Sequence, residues 1–191
     1  MKGLEITRRY FLEWALPYLS NNHGELVQRI AAGMISGSDS IGADDKISRD
    51  HNWGPGFSVW LTAKDFNASG AALALDLHRA VPDTFEGFEI AACFGSKAQS
   101  IRVGSMEEFF IEETGGHSHM PTDVKTWNPT PRDESHLYFL KHGHVFHDPL
   151  GEFSRRRKAL CTWPRYTLLR GISNAAWQLW HYGEYNFDRV A

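Results

Sequence analysis

Two cysteines in 191 residues, Cys93 and Cys161, are too few and too far apart for a disulfide framework or a paired-cysteine zinc site. Free thiols in a reducing compartment are expected. An excess of charge of one sign is also missing: 20 Lys and Arg stand against 23 Asp and Glu, a net charge of −3. No overall positive field is then available to hold a nucleic-acid backbone, which disfavours a general DNA or RNA binder. Long hydrophobic runs are absent as well. The opening GLEITRRYFLEW interrupts every apolar stretch with charge, unlike a signal peptide, and no later segment offers the roughly 20 apolar residues of a membrane span. A cytoplasmic protein without membrane contact is expected. No internal repeat or low-complexity tract is visible.

What is present suits one principal core with a small helical appendage, since 42% of residues are hydrophobic and 23% charged. Ile6, Tyr10, Trp14 and Tyr18 recur every four residues, with Phe11, Ala15 and Leu19 beside them, predicting an opening helix that Pro17 kinks or shortens. IAAGMIS (residues 30–36) reads as a buried strand running into a tight turn at Gly37, and FSVWL alternates at period two as a second strand. Alanine and leucine between positions 68 and 81 predict a helix stopped by Pro82. FEIAACF and SIRV read as two further strands. Ser105 and Glu108 have capping-box spacing ahead of a short helix that Gly115 and Gly116 can end. A long loop rich in Gly, His, Pro and Thr is expected over 116–132. From Pro164, Leu169, Ile172, Ala176 and Trp180, with Trp177, mark a terminal amphipathic helix whose apolar face must pack somewhere.

Chemistry concentrates in SGSDSIGADDKISRDHNWGPG, residues 36–56. A strand ending at Gly37 and Ser38 exposes backbone amides at a turn, and a helix starting there aims its positive end at an anion, for which phosphate is the natural guest. Asp50 and Asn52, one residue apart, share a face on an extended segment. An anion cradle facing a carboxylate can hold a nucleoside triphosphate through magnesium, a hard cation that bridges carboxylate and phosphate oxygens. Gly, Ser and Asp are also ordinary turn residues, and Asp50 could simply cap a backbone turn.

The run resembles the signature of the nucleotidyltransferase superfamily, Gly-Ser at a strand end followed by an Asp-x-Asp pair. More closely, it is similar to a family of predicted nucleotidyltransferases, DUF4037, with the pattern GSEVLGFDDEXSXDHDWGP. Gly37, Ser38, Gly42, Asp44, Asp45, Ser48, Asp50, His51, Trp53, Gly54 and Pro55 match. VPDTFEGFEI and HGHVFHDPLGEFSRRRKAL resemble later family segments, so the likeness runs from about Gly3 to Pro164. The resemblance implies that Gly37 and Ser38 contact the triphosphate of ATP or another nucleotide, and that Asp50 is the first magnesium-binding carboxylate. Asn52 departs from the family, standing where the second aspartate would be. Its amide still offers one oxygen but removes a charge and the bidentate option. Glu89 and Asp65 are candidates for a third carboxylate without a motif to support them.

Other clusters compete for attention. His142, His144 and His147 with Asp148, and His117 with His119, could bind zinc or another transition metal, though no helical HExxH spacing exists. The resemblance implies that Val145, Phe146 and Asp148 belong to a turn packed under the sheet. The basic run of Arg155, Arg156, Arg157 and Lys158 reads as a solvated helix face or as a phosphate contact. Trp14, Trp177 and Trp180 are expected in the core, and Trp53 under the metal loop. Together these readings predict an α/β (α+β) protein: a nucleotidyltransferase-like mixed sheet with flanking helices over 1–163 and a short C-terminal helical tail over 164–191. The expected reaction transfers a nucleoside monophosphate from a triphosphate to an unknown acceptor with magnesium. The alternatives are a catalytically degenerate nucleotide-binding or interaction protein and a histidine-based metal hydrolase. Homo-oligomerisation through the C-terminal helix would cover its apolar face.

Overall fold

A computed structural model describes residues 2–42, 44, 53–116, 131–160 and 165–190. The chain opens on a helical rod over residues 3–22: α1 (Gly3–Arg9), a wider π-helical stretch (Tyr10–Ala15) and α2 (Leu16–Asn22). Pro17 has no N–H to return to the preceding turn, and the ladder widens just before it, with Leu16 N–H donating five residues back to Phe11 C=O. The helix therefore runs on past Pro17 to Asn22.

A short α3 (Gly24–Val27) leads into β1 (Ala31–Met34), and β2 (Phe57–Leu61) returns antiparallel to it, with Ala32 opposite Val59. Thr62 caps α4 (Ala63–Asp65) by accepting from Asp65 N–H, and the helix continues through a π-helical stretch into α5 (Ala71–Ala80), ending before Pro82 as its proline demands. The segment FEIAACF is not a strand. Phe88 and Glu89 form β4 (Phe88–Glu89) of a small hairpin with β3 (Thr84–Phe85), and the rest coils into α6 (Ile90–Phe94). The tight turn at Glu86 and Gly87 uses the two residues that would have extended a strand.

SIRV does form a strand, β5 (Ile101–Ser105), parallel to β2. Ser105 then caps α7 (Met106–Glu113), its Oγ accepting from Glu108 N–H at 3.3 Å, and Gly115 and Gly116 follow with positive φ. After α8 (Pro131–His142), residues predicted to form a turn under the sheet instead form its edge strand, β6 (His144–His147), antiparallel to β1. A Cβ on Gly33 would stand 2.2 Å from the His144 carbonyl oxygen, so glycine at that position is what lets β6 approach. The helices α9 (Glu152–Leu160) and α10 (Arg165–Val190) follow, and α10 is the C-terminal helix expected over 164–191.

The four-stranded sheet has the order β5-β2-β1-β6 and is covered on both faces. Phe57, Val59, Leu61 and Ile101 alternate onto one face with Tyr10, Phe11 and Leu19 of the opening rod and Leu73 and Leu77 of α5. Ala31 and Trp60 point to the other face, among Met106 and Phe110 of α7, Leu137 and Leu140 of α8, and Phe153 of α9. Each fully buried large apolar side chain contributes roughly 1.5–3 kcal/mol. The protein is thus a mixed α/β sandwich. No helix among the described residues is long and apolar enough to cross a membrane.

Candidate functional site

Strand β1 lies inside the sheet and points its carboxyl end at the turn singled out by sequence. Gly37 has φ +93°, a conformation that favours glycine, and Ser38–Ile41 form one 3-10 turn closed by Gly42 at φ +83°. Ser40 fastens this turn by donating from both its backbone N–H and its hydroxyl to the Gly37 carbonyl, at 3.1 and 2.7 Å. The first amides, at Ser38 and Asp39, precede the turn's own hydrogen bonds. Gly37 is exposed and Ser38 half-buried, so the turn is open to a ligand.

Behind it sits a carboxyl that sequence reading passed over. Asp39 is 4% exposed, and its Oδ2 has no hydrogen-bond partner among the described residues. Burial pushes its pKa up to about 6, the nearby charge of Asp44 adds to the rise, and backbone hydrogen bonds oppose it. Asp44 ties the neighbourhood together: its carboxylate accepts from the N–H of Gly3 at the start of α1 and, at 2.9 Å, from Trp53 Nε1. Thr7 Oγ1 donates 2.9 Å to the Gly54 carbonyl, pinning the segment after the loop to the same helix. A Cβ on Gly3 would meet Asp39 Oδ2 at 2.4 Å and Trp53 Nε1 at 2.7 Å, so this corner closes only around a glycine. Trp53 is buried here, edge-on to Phe88. Asp50 and Asn52 lie outside the described residues; Asp44 and Trp53, which flank their segment, meet beside Gly37 and Asp39.

A cleft of about 540 Å³ opens on the sheet face next to the turn. Ser36, Ser58 and Arg102 line its floor, Glu108 and Glu112 of α7 one wall, and Ser135 and His136 of α8 the other. Gly104 leaves open space where a side chain would stand. The alternation of Ile101, Arg102 and Val103 places Arg102 on this face, a signal the period-two pattern of SIRV already carried. His136 Nδ1 lies 3.6 Å from Glu113 Oε1 at the rim. Hydroxyls, a guanidinium and carboxylates in one cleft can bind a phosphorylated ligand and accept a proton.

Neither third-carboxylate candidate reaches the cleft. Glu89 is exposed on the β3–β4 hairpin, and Asp65 is engaged by Arg29 at 3.1 Å, a hydrogen bond that holds its pKa down. Of the histidines of the KHGHVFHD segment, His142 and His144 line one pocket and His147 lies apart from them. His142 packs against Tyr138, and His147 Nε2 is 2.7 Å from the Val27 carbonyl. His144 lines a basic pocket of about 480 Å³ with His142, Lys141, Arg157 and Lys158, where burial first, then Arg157 and Arg8, lower its pKa. Among the described residues, no three His, Cys, Asp or Glu are grouped to hold a metal ion. His117 and His119 lie outside those residues. In the basic run, Arg156 bridges Glu152 and Glu107, Arg155 pairs with Glu152, and Arg157 donates to the Lys141 carbonyl.

Residues 127–191 match the family model described as Domain of unknown function (DUF4037). The matched region contains α8, β6, α9 and α10, and so takes in the HGHVFHDPLGEFSRRRKAL segment and the whole terminal helix, while the Gly37 turn precedes it. No curated protein and no solved structure matches the chain.

Proposed function

We propose that this chain, a member of the DUF4037 family, is a nucleotidyltransferase that moves a nucleoside monophosphate from ATP or another nucleoside triphosphate to an acceptor hydroxyl or phosphate. The observation that carries this reading is the turn at the carboxyl end of β1, where Gly37 at φ +93° opens backbone amides beside a cleft floored by Ser36, Ser58 and Arg102. Amides hold the triphosphate, and the Arg102 guanidinium offers paired donors to its oxygens.

Asp50 and Asn52 would offer a carboxylate and an amide oxygen, donors that suit magnesium better than a softer metal. When bound there, magnesium supplies charge neutralisation on the phosphates and lowers the acceptor's pKa. The acceptor oxygen attacks the α-phosphorus, the bond to the bridging oxygen breaks, and pyrophosphate leaves. A carboxylate of the cleft wall, Glu108 or Glu112, takes the acceptor's proton. The partners on this reading are the nucleotide, the acceptor and a second copy of the chain met through α10.

Asn52 favours a second reading, a degenerate protein that keeps the phosphate cradle without turnover, because one neutral ligand weakens the hold on divalent metal. Melting temperature with ATP or GTP, with and without magnesium, separates the two, since a ligand of the native state raises it. Stabilisation that requires magnesium is expected. Nucleotide stabilisation indifferent to magnesium supports the degenerate reading, and stabilisation by zinc alone the histidine hydrolase.

A further inference from the structure

The four consecutive cations of α9 are sorted by the helix into two pairs with different surroundings. Arg155 and Arg156 turn to Glu152, and Arg156 also reaches Glu107, so these charges are matched. Arg157 and Lys158, three and four residues after Ser154, share its side of the helix. That side meets the end of α8 and the start of β6, and the three elements enclose the pocket of about 480 Å³ lined by Lys141, His142, His144, Ser154, Arg157 and Lys158. Its size falls in the range of small-molecule sites, roughly 300–1,000 Å³.

Among the described residues, no carboxylate lines this pocket. The acids nearby in sequence are engaged elsewhere: Asp148 accepts from the Ser154 N–H at 2.8 Å, and Glu152 holds Arg155 and Arg156. Three permanent cations and two imidazoles therefore gather around one cavity without a counter-charge, an arrangement that draws an anion in. The guanidinium of Arg157 is already oriented, since it donates 2.8 Å to the Lys141 carbonyl and keeps its remaining N–H groups for a ligand. A single carboxylate would match only one of the permanent charges. A phosphate dianion matches two, takes paired donors from the guanidinium, and accepts from the Ser154 hydroxyl.

We infer that the pocket between α8, β6 and α9 is a phosphate-binding site, taking a phosphomonoester or pyrophosphate group on Arg157, Lys158, Lys141 and the two histidines. It is independent of the transferase reading. Gly143 of the pocket packs on Ile35 of the cleft, where a Cβ would stand 2.7 Å from the Ile35 Cα, so the two sites are neighbours with separate linings.

Calorimetric titration of inorganic phosphate, pyrophosphate and ribose 5-phosphate into the full chain, without magnesium, tests it. Binding with a Kd below about 1 mM is expected. Arg157→Ala weakens it about 10-fold or more, and so does Lys158→Glu, a reversal at an exposed position that leaves the core untouched. Arg155→Ala removes the same charge from the same helix and leaves affinity within about 2-fold. Tighter binding of ribose 5-phosphate identifies an organic phosphomonoester as the ligand, and tighter binding of pyrophosphate an inorganic one. No binding of any of the three at millimolar concentration overturns the proposal, as does equal weakening by Arg155→Ala and Arg157→Ala. Binding lost in Arg102→Ala but kept in Arg157→Ala and Lys158→Glu would place the anion in the cleft, overturning the pocket and leaving the transferase reading standing. Phosphate held through Arg157 by a protein that binds no nucleotide would keep the pocket and sink that reading alone.

Discussion

The opening rod over residues 3–22 and the terminal helix α10 carry the same kind of pattern, apolar and aromatic residues at spacings of three and four, yet their fates are opposite. Ile6, Tyr10 and Phe11 are fully buried against the sheet, whereas Ile172 is 67% and Leu179 77% exposed. Periodicity reports that a helix has an apolar face; what covers the face depends on the rest of the fold. The rod is covered because the sheet's alternating strands leave a matching apolar face, and because Asp44 and Thr7 tie its first turns to residues 44 and 54. Within the chain, α10 meets α8, and its described side chains are at most half-buried.

The contrast breaks most visibly on truncation. Phe11→Ala is expected to cost about 3–5 kcal/mol in urea unfolding, through lost burial and the cavity it leaves. A cost below about 1 kcal/mol would show that the rod's face is not core.

Next in size is the corner where the rod begins. The pKa of Asp39 is raised to about 6 in the folded protein, above its unfolded value, so its contribution to stability is full below about pH 4 and is lost as pH rises through 6. Asp39→Asn should therefore remove a loss of ~2 kcal/mol between pH 4 and 7 and leave a flatter stability profile. Parallel pH profiles for parent and variant would contradict this. Thr7→Val, which leaves the buried Gly54 carbonyl without its donor, should cost about 1 kcal/mol by the same unfolding measurement. At the small end, Leu179→Ala measured on monomer should change stability by less than about 0.5 kcal/mol, since the side chain is 77% exposed. A loss comparable to Phe11→Ala would erase the difference between the two helices.

The strands legible in sequence were those whose alternation or apolar run was strong: 31–34, 57–61 and 101–105. FEIAACF failed because short apolar runs do not separate strand from helix, and the Glu86–Gly87 turn decided the matter. His144–His147 failed for the opposite reason: an edge strand needs only one neighbour, here β1, and its sequence shows little alternation. Trp177 and Trp180 were expected in the core because tryptophan on an apolar face usually is; both are exposed. At the candidate site, the Gly37 turn was readable from its glycine and the preceding apolar strand. Asp39 was not, since nothing local distinguishes a buried aspartate in a turn from a solvated one. Arg102 and Ser58 became neighbours only through the parallel pairing of β2 and β5.

The most direct test of the nucleotide site is calorimetric titration of a non-hydrolysable nucleoside triphosphate at several magnesium concentrations into the parent, Asn52→Asp and Asp50→Ala proteins. Two divalent cations beside a triphosphate need anionic ligands, so a second carboxylate strengthens magnesium-dependent binding and the loss of the first abolishes it. The expected order is Asn52→Asp tightest and most magnesium-dependent, the parent intermediate, and Asp50→Ala without binding. Equal binding by all three, or no binding by any, would contradict the assignment of this site.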